Sequence, residues 1–301
     1  MFHVSEPRPN FLVVGAAKAG TTSLHDYLGQ HPEIFMSENK EPHFFVRNYG
    51  LERWEDYAAL FRNSAGKKAV GESSTLYLYC EESPAWIKSV LGTIKIVMVL
   101  RNPARRSFSL YGWMVREGYE DAPTFAEALA REPGRWADPE FRAHCPQFYV
   151  DYLYFNSGLY AAQVQRYLET FGSENVRVFL FEDFVRDPVS VCQSIFGFVG
   201  VDPKFVPQTG HFNEGRIPRS IEWQFWLRNR GQTLPLPGSW RRKLVRALMA
   251  LNLRRGRAPE ADPVLQKSLA ERYRDDVKKL ERMLQRDLSK WYDSNGTTAP
   301  G

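Results

Sequence analysis

A short apolar run that ends in a glycine loop constrains the fold of this chain more than any other feature. Residues 11–15 read FLVVG, the loop continues to Gly20, and an amphipathic segment follows over residues 21–30. This order predicts a buried strand, a turn and a helix. The backbone N–H groups of such a loop, together with the positive end of the helix dipole, form a site for an anionic group such as phosphate or sulfate.

The position of the lysine separates this loop from a Walker A loop, which binds nucleoside triphosphates. Walker A sequences read G-x-x-x-x-G-K-[ST], with the lysine directly after the second glycine. Here Gly15 and Gly20 keep that span, and Thr21 and Thr22 follow, but the lysine is Lys18, inside the loop. The spacing predicts an anion site to which Lys18 adds a positive charge and the threonines add hydroxyl donors.

Apolar runs that alternate with helical patterns predict an α/β chain. Strands are expected at 11–15, 68–71, 94–100 and 176–181, and helices at 21–30, 84–91, 103–116, 159–171, 189–199 and 265–285. Continuous Val, Ile and Leu runs are typical of parallel strands that are buried on both faces. The prediction is a P-loop-like, three-layer α/β/α fold with a central parallel sheet and a helical C-terminal part.

The length allows one large α/β domain or two small ones, and a single domain over residues 1–301 is expected. Of the 301 residues, 43% are hydrophobic, which is enough for a sizeable core. The parts expected are a ligand-binding core at 10–230, a basic irregular segment at 231–263, a closing helix at 264–292 and a disordered tail at 293–301. The net charge of +5 suits an anionic ligand, and no nucleic-acid partner is expected.

Cysteine usage and hydropathy predict a soluble, cytoplasmic protein. Cys80, Cys145 and Cys192 are widely spaced and form no CxxC pair, which indicates thiols in a reducing compartment. No metal site can be assembled from them and the six scattered histidines. The first residues contain no apolar segment typical of a signal peptide, and no apolar run approaches the roughly 20 residues that a membrane-spanning helix needs.

A basic amphipathic helix is predicted inside the segment 231–263. Leu244, Leu248 and Leu251 share one face of this helix. The surrounding basic residues are Arg241, Arg242, Lys243, Arg246, Arg254 and Arg255. The favoured interpretation is a surface helix that docks on the protein through its leucines. The alternative is that residues 240–257 contact a membrane surface or an acidic partner.

A strand that ends in arginine supplies a second candidate anion contact. Arg101 follows the run IKIVMVL, at the strand end where ligands of open α/β sheets gather. Asn102 and Pro103 form a typical helix start, which puts Ser109 about two turns inside the helix. A guanidinium can bind a terminal phosphate through two hydrogen bonds, and a hydroxyl adds a further donor. Otherwise Arg101 pairs with a carboxylate and Ser109 is a packing residue.

Three motifs in order resemble the sulfotransferases that use 3′-phosphoadenosine 5′-phosphosulfate (PAPS). "GAAKAGTTSL", followed by "LGQHP", resembles their 5′-phosphosulfate loop, and "KEPHFF" at 40–45 resembles the acceptor-side motif of the heparan-sulfate and related carbohydrate branch. "KIVMVLRNPARRSFSLYGW" at 95–113 resembles their 3′-phosphate motif. Near the C-terminus, "RYRDDVKKLERMLQRDLSKW" resembles the closing helix of bacterial members. The resemblance extends from residue 10 to about residue 292 and implies metal-independent sulfuryl transfer to an alcohol or sugar hydroxyl.

The resemblance also implies a role for each matched residue. The donor would contact Lys18, Ala19, Gly20, Thr21, Thr22, Arg101 and Ser109. Lys18 would stabilise the charge that grows on the leaving group, and Lys40 would contact the donor sulfate. Glu41 would be the general base and His43 would orient the acceptor. Because cytosolic small-molecule sulfotransferases use a histidine, His43 stays the alternative base.

A further stretch of the sequence supplies more candidate contacts to the donor. "HFNEGRIPRS" at 211–220 falls where relatives close a loop over the 3′-phosphate and adenine, and its candidates are Asn213, Arg216 and Arg219.

Val46 and Ser73 stand where heparan 3-O-enzymes carry an acid and a lysine. The missing lysine removes a contact to an anionic glycan, so a small or lipid-linked hydroxyl acceptor is expected in preference to heparan sulfate. The aromatic-rich insert at 113–155 could line an acceptor pocket, although most of its rings are expected in the core.

Two alternatives remain open. One is a kinase that uses ATP and Mg²⁺, which needs acidic residues to hold the metal, and Glu182 and Asp183 follow the fourth apolar run. The other is a non-catalytic nucleotide-binding module that presents the basic segment to a membrane or a protein. The presence of both Lys18 and Glu41 argues against the module, because pure binding needs no such pair.

Overall fold

The structure is a computed structural model that describes residues 8–210, 216–233, 235, 237–256 and 262–293. Its strands are β1 (Phe11–Gly15), β2 (Ile34–Met36), β3 (Ala69–Ser73), β4 (Lys95–Leu100), β5 (Val176–Leu180), β6 (Arg216–Pro218) and β7 (Leu253–Arg255). Its helices are α1 (Thr21–Gly29), α2 (Trp54–Ala59), α3 (Ser83–Leu91), α4 (Pro103–Arg116), α5 (Phe125–Ala137), α6 (Pro139–His144), α7 (Tyr160–Phe171), α8 (Phe181–Arg186), α9 (Pro188–Val199), α10 (Ile221–Asn229), α11 (Gly238–Asn252) and α12 (Pro263–Leu284).

A five-stranded parallel sheet in the order β2-β3-β1-β4-β5 confirms the predicted α/β/α fold. All five residues of β1 are buried, and so are the last five of β4, because helices cover these central strands. From β1 the chain passes to β2 and β3 on one side of β1, and it then crosses to β4 and β5 on the other side. In open sheets, ligands bind at the carboxyl ends of strands where the direction of winding changes in this way.

The chain forms two compact units. The first contains Met1–Asn102, Tyr160–His211 and Lys279–Arg286, and it includes the parallel sheet. The second contains Pro103–Leu159, Phe212–Lys278 and Asp287–Gly301. Whether the two units behave as the single domain expected from the sequence stays a prediction.

A buried carboxylate organises part of the second unit. Glu120 is fully buried and accepts hydrogen bonds from both Nη atoms of Arg135, at 2.7 and 2.8 Å, and from the Tyr154 hydroxyl at 2.8 Å. Burial raises the pKa of Glu120, but the hydrogen bonds and charge of Arg135 outweigh burial and hold the pKa below its ordinary value. Of the aromatic residues in the insert 113–155, Phe125 and Tyr152 are also buried, whereas Trp136 is exposed.

The prediction that leucines dock the basic helix is wrong. The predicted helix is α11, but Leu244 and Leu251 are exposed. Val245 and Asn252 are its buried residues, and the Asn252 side-chain amide donates to the Ser220 carbonyl oxygen and to Gln224 Oε1, both at 2.8 Å. Leu244 and Leu251 lie roughly 90° and 110° around the helix axis from the centre of this docking face, whereas Leu248, which is half-buried, lies about 50° from it.

The C-terminal part differs from its predicted bounds. The helix expected over 264–292 is α12, which ends at Leu284, and a 3₁₀ turn follows at Ser289–Trp291. The predicted tail, from residue 294 onward, lies outside the described residues. In the part of the chain that the structure describes, no helix has both the length and the apolarity needed to cross a membrane. The three cysteines all lie in this part, and none forms a disulfide.

Candidate functional site

The glycine loop joins β1 to α1 as predicted. The Ala16 N–H donates to the Val99 carbonyl oxygen at 2.8 Å, which ties the start of the loop to β4. Gly20 has a φ of 82°, and a Cβ there would lie 3.1 Å from the Phe181 ring, so this position requires glycine. Helix α1 then begins at Thr21 and directs its first N–H groups toward the loop. Thr21 is buried and Thr22 is exposed.

The structure brings Lys18 and Arg101 together at the carboxyl ends of β1 and β4. Arg101 Nη1 donates to the Lys18 carbonyl oxygen at 3.1 Å. The Arg101 guanidinium also lies 4.6 Å from the centre of the Phe181 ring, where it has a cation–π contact. The Arg101 side chain therefore meets the backbone of the Lys18 loop beside a helix N-terminus, and this arrangement suits an anionic ligand.

Lys40, Glu41 and His43 follow β2 in the chain and form a second cluster beside the carboxyl end of β3. The Glu41 N–H donates to the Ser73 carbonyl oxygen at 2.9 Å, which fixes the segment beside the end of the strand. Glu41 Oε2 accepts from the Thr75 N–H at 2.7 Å, and the Thr75 hydroxyl lies 3.2 Å from both carboxylate oxygens. Lys40 Nζ contacts Glu41 Oε1, and His43 Nε2 lies 3.4 Å from Glu41 Oε2.

His43 combines burial with an unused ring nitrogen. Burial, assisted by the charge of Lys40, lowers the pKa of His43, although Glu41 opposes this shift. The imidazole is therefore neutral at neutral pH. Its Nδ1 atom is buried and has no hydrogen-bond partner among the described residues. When Nε2 donates to Glu41, Nδ1 is an acceptor that a ligand hydroxyl can use.

A buried carboxyl group, that of Glu72, supports this cluster through hydrogen bonds. Glu72, on β3, is completely buried, and burial raises its pKa to about 8. It accepts hydrogen bonds from the Ser74 hydroxyl at 2.9 Å and from the Tyr57 hydroxyl at 3.4 Å. Ser74 Oγ in turn accepts from the His43 N–H at 3.1 Å. Glu72 and Ser74 thus fix the backbone of His43.

Residues 73–78 connect the two clusters. Ser74 N–H donates to the Val13 carbonyl oxygen at 3.1 Å, so the segment that binds Glu41 is also bonded to the strand that leads into the Lys18 loop. His25, on α1, lies 3.0 Å from Ser73 Oγ through Nδ1 and 3.2 Å from the Ser37 carbonyl oxygen through Nε2. Burial lowers the pKa of His25, so it is a neutral bridge. Local patterns in the sequence did not identify His25, Ser74 or Thr75 as positioning residues.

Three of the predicted site residues have left-handed backbone conformations. The φ angles are 68° for Lys18, 62° for Glu41 and 52° for His43. Non-glycine residues in this region are destabilised by about 1–3 kcal/mol each, and such residues concentrate at functional sites. The strain is an independent indication that these three positions serve function.

Ser109, Arg216 and Arg219 belong to the second unit. Ser109 is half-buried on α4, and Pro103 is the first residue of that helix as predicted. Arg216 belongs to β6, which pairs with β7, and Arg219 follows directly, so this end of the expected loop is a strand. Both arginines are exposed. Asn213 lies outside the described residues.

The acids that a kinase would need have other partners. The Glu182 carboxylate accepts from the Asn102 N–H at 3.1 Å. Asp183 pairs with Arg186 at 2.7 Å and with Arg286. Across the described residues, no group of three or more His, Cys, Asp or Glu side chains is arranged to hold a metal ion.

Comparison with known proteins assigns the chain to a family. The family described as "Sulfotransferase domain" matches residues 8–214, and the chain belongs to it. Over 209 residues the chain is 28% identical to the mouse bifunctional heparan sulfate N-deacetylase/N-sulfotransferase 4, which covers 65% of this chain and 23% of that protein. Over 212 residues it is 28% identical to the mouse heparan sulfate glucosamine 3-O-sulfotransferase 6, which covers 68% of this chain and 56% of that protein.

A solved structure supports the same conclusion over nearly the whole chain. The chain is 34% identical to a sulfotransferase from Alicyclobacillus acidocaldarius, with a TM-score of 0.73, and the match covers 95% of this chain and 99% of that one. The family and this similarity support sulfuryl transfer as the class of reaction. The matched region spans between about a quarter and about half of the heparan sulfate enzymes named above.

Proposed function

We propose that this chain transfers the sulfuryl group of PAPS to a hydroxyl of a carbohydrate, small-molecule or lipid-linked acceptor. The observation that supports this most strongly is the cluster of Lys40, Glu41 and His43, held by Thr75 at the end of β3. Strand β3 pairs directly with β1, which leads into the Lys18 loop. Membership of the sulfotransferase family identifies the group to be transferred.

The donor would lie along the carboxyl edge of the sheet. In this proposal the loop from Lys18 to Thr22 binds the 5′-phosphosulfate through backbone N–H groups and hydroxyls. Arg101 binds the 3′-phosphate, which Ser109 also contacts. Asn213, Arg216 and Arg219 would bind on the 3′-phosphate and adenine side.

The reaction would be an in-line displacement at sulfur. The acceptor oxygen forms a bond to sulfur while the bond from sulfur to the bridging oxygen of the 5′-phosphate breaks. The acceptor proton passes to Glu41, and the electron pair of the broken bond stays on the 5′-phosphate of the product, 3′-phosphoadenosine 5′-phosphate (PAP). Lys18 stabilises that charge as it develops, and such stabilisation accelerates the chemical step.

The contacts of Glu41 suggest how it becomes available. Thr75 and Lys40 both bind its carboxylate. A bound phosphosulfate is a competing anion for Lys40, and its binding would leave Glu41 Oε1 open to the acceptor proton while Thr75 keeps Oε2 in place. His43, which is neutral and has an unused Nδ1, would orient the acceptor hydroxyl and is the alternative base.

Two buried side chains favour an acceptor other than heparan sulfate. Val46 and Ser73 occupy the positions at which the heparan 3-O-enzymes carry an acid and a lysine. Both Val46 and Ser73 are buried. The Ser73 hydroxyl is bonded to His25 rather than directed at a ligand. We therefore propose that the acceptor is a small or lipid-linked molecule, or a glycan with less charge than heparan sulfate. We also propose that the protein is cytoplasmic.

Ligand-induced stabilisation tests the donor. We expect PAP to raise the melting temperature more than ADP does, because only PAP has a 3′-phosphate for Arg101. A ligand present at about 100 times its dissociation constant stabilises a protein by roughly 2.7 kcal/mol. Arg101→Ala should abolish the preference for PAP, and Glu38→Gln, an exposed change in the segment before Glu41, should leave it intact. Equal shifts with PAP and ADP in the unmodified protein would refute the 3′-phosphate site, and stabilisation by ATP with Mg²⁺ alone would favour a kinase.

A direct comparison of acceptors tests the second half of the proposal. Heparan sulfate and a panel of small and lipid-linked alcohols would be incubated with the protein and radiolabelled PAPS at equal hydroxyl concentration. We expect the label to enter the small or lipid-linked alcohols preferentially. Efficient transfer to heparan sulfate would contradict the argument from Val46 and Ser73 while leaving the donor assignment in place.

A further inference from the structure

Helix α11 carries an exposed apolar stripe. Trp240, Leu244 and Leu251 are 72%, 42% and 73% exposed. At about 100° per residue, these three side chains fall within about 40° of one another around the helix axis. Single exposed apolar side chains are common on protein surfaces, but several on one side of a helix form a patch that indicates an interaction.

The buried side chains that hold α11 to the protein lie outside the stripe. The helix packs on α10 through Val245, which is buried, and through Asn252, whose side chain bonds to Ser220 and Gln224. Around the helix axis, Val245 and Asn252 lie about 100° or more from the centre of the stripe. The packing of α11 on α10 therefore leaves the stripe exposed to solvent.

The charges around the stripe have one sign. Residues 238–256 include six Arg and Lys residues and no Asp or Glu. Arg241 lies on one side of the stripe and Lys243 on the other, at roughly 80° from its centre in each direction. Lys243 is exposed and Arg241 is half-buried. An apolar stripe with Trp and Leu, bordered by basic residues, is the pattern of helices that lie in the interface of a membrane.

We propose that α11 binds the surface of an anionic lipid bilayer through Trp240, Leu244, Leu251, Arg241 and Lys243. In this arrangement the helix axis lies parallel to the membrane, and the stripe enters the boundary between headgroups and acyl chains. The long aliphatic stems of Arg241 and Lys243 follow the stripe, while their charged groups bind lipid phosphates.

The exposed leucines favour a bilayer over a sulfated glycan or an acidic protein segment as the partner. A polyanionic chain would be bound by the basic residues alone, and leucine side chains gain nothing from contact with it. Helix α10 adds a second exposed aromatic feature, because Trp223 and Trp226 are stacked with ring centres 5.0 Å apart and both are partly exposed. Tryptophan is enriched at membrane interfaces, where one side of the ring is apolar and the N–H is hydrated.

Co-sedimentation with lipid vesicles tests the proposal. The full chain would be mixed with vesicles of phosphatidylcholine alone, or of phosphatidylcholine with phosphatidylglycerol, at increasing salt. We expect binding to the anionic vesicles only, and weaker binding as salt screens the charges. Leu251→Ser should reduce the vesicle affinity on the order of tenfold, because an apolar side chain no longer leaves water. Changing Arg241 and Lys243 together to Gln should reduce it on the order of 30-fold.

Matched changes on α12 control for general effects on surface composition. Val264→Ser and Lys267→Gln alter an exposed apolar and an exposed basic residue of the same unit, and both should bind vesicles as the unmodified protein does. Absence of binding to anionic vesicles would overturn the proposal. So would binding to heparin or polyglutamate without binding to vesicles. A lipid-free dimer that Leu251→Ser converts to a monomer would show that a second copy covers the stripe, and would also overturn it.

Discussion

The substitution Glu41→Gln examines the proposed base with the least disturbance of its surroundings. Glutamine has the shape of glutamate, and its side-chain carbonyl can continue to accept the Thr75 N–H, which lies 2.7 Å from Glu41 Oε2. The backbone of residue 41 therefore keeps its position, and its N–H keeps the 2.9 Å hydrogen bond to the Ser73 carbonyl oxygen. The amide differs in two respects: its NH2 group cannot accept from Lys40, which contacts Glu41 Oε1, and it cannot take a proton from the acceptor at neutral pH.

The expected loss in rate follows from the missing proton acceptor. General acid–base catalysis contributes on the order of 10² to 10⁴ in rate, which corresponds to about 3–5 kcal/mol in the activation barrier. We expect kcat to fall by this factor in a radiolabelled-PAPS assay at saturating acceptor. PAP binding should change little, because Lys18 and Arg101 are untouched. Glu38→Gln, on an exposed neighbour in the same segment, should retain full activity.

The comparison with His43→Ala decides which residue is the base. If His43 only orients the acceptor, its removal should cost less in kcat than Glu41→Gln and should raise KM for the acceptor. The assignment would be refuted if Glu41→Gln kept most of the activity while His43→Ala lost it. In that case the neutral imidazole, whose Nδ1 is buried, would be the proton acceptor.

Three further substitutions test the support of the site. Ser74→Ala should destabilise the protein by about 1–3 kcal/mol in urea unfolding, because it removes partners of the buried Glu72 carboxyl and the His43 N–H; a change within error would contradict the bridging role. Burial raises the pKa of Glu72 to about 8, so the native state retains a proton that the unfolded state loses above its ordinary pKa of 4.5. Relative to Glu72→Gln, the unmodified protein should then lose stability as pH rises from about 4.5 to about 8, and the difference should change no further above pH 8. Parallel stability profiles of the two proteins would show that the Glu72 carboxyl is not protonated in the native state. Lys18→Ala should lower kcat by about 10² to 10³ with PAP affinity reduced far less, whereas equal losses in both would make Lys18 a binding residue only.

The central strands and the donor-binding loop were predictable because each produces a strong local signal. The apolar run of β1 and the last five residues of β4 are continuous and buried. The helices that follow β1 and β4 start within a residue of the expected positions. By contrast β2, β6 and β7 are three residues long. A run that short has no recognisable period, and its pairing depends on where distant parts of the chain lie.

The support of the site could not be derived from local patterns. Thr75 binds Glu41 and Ser74 binds the His43 N–H across more than 30 residues of sequence. The neighbouring position, Ser73, was recognisable in the sequence only as the place of a missing lysine. No local pattern indicates that the two residues after it hold the segment that contains Glu41 and His43. The left-handed conformations of Glu41 and His43 are likewise a consequence of tertiary contacts.

The basic helix shows how a correct pattern can lead to a wrong interpretation. The sequence identified a helix with leucines on one face, and α11 confirms the helix. It docks through Val245 and Asn252, however, because the hydrogen bonds of Asn252 to Ser220 and Gln224 select a different face. Hydrophobic periodicity alone assigns the apolar face to the core, and only the structure shows that this face remains exposed.

The transfer of labelled sulfate from PAPS tests the central claim most directly. The protein would be incubated with sulfur-labelled PAPS and the acceptor panel, with and without EDTA, beside a matched reaction that contains ATP labelled at the γ-phosphate and Mg²⁺. The account predicts that label from PAPS enters an acceptor hydroxyl, that this transfer survives EDTA, and that it fails with Glu41→Gln. Transfer of the γ-phosphate that is abolished by EDTA and restored by Mg²⁺, with no transfer from PAPS, would contradict it.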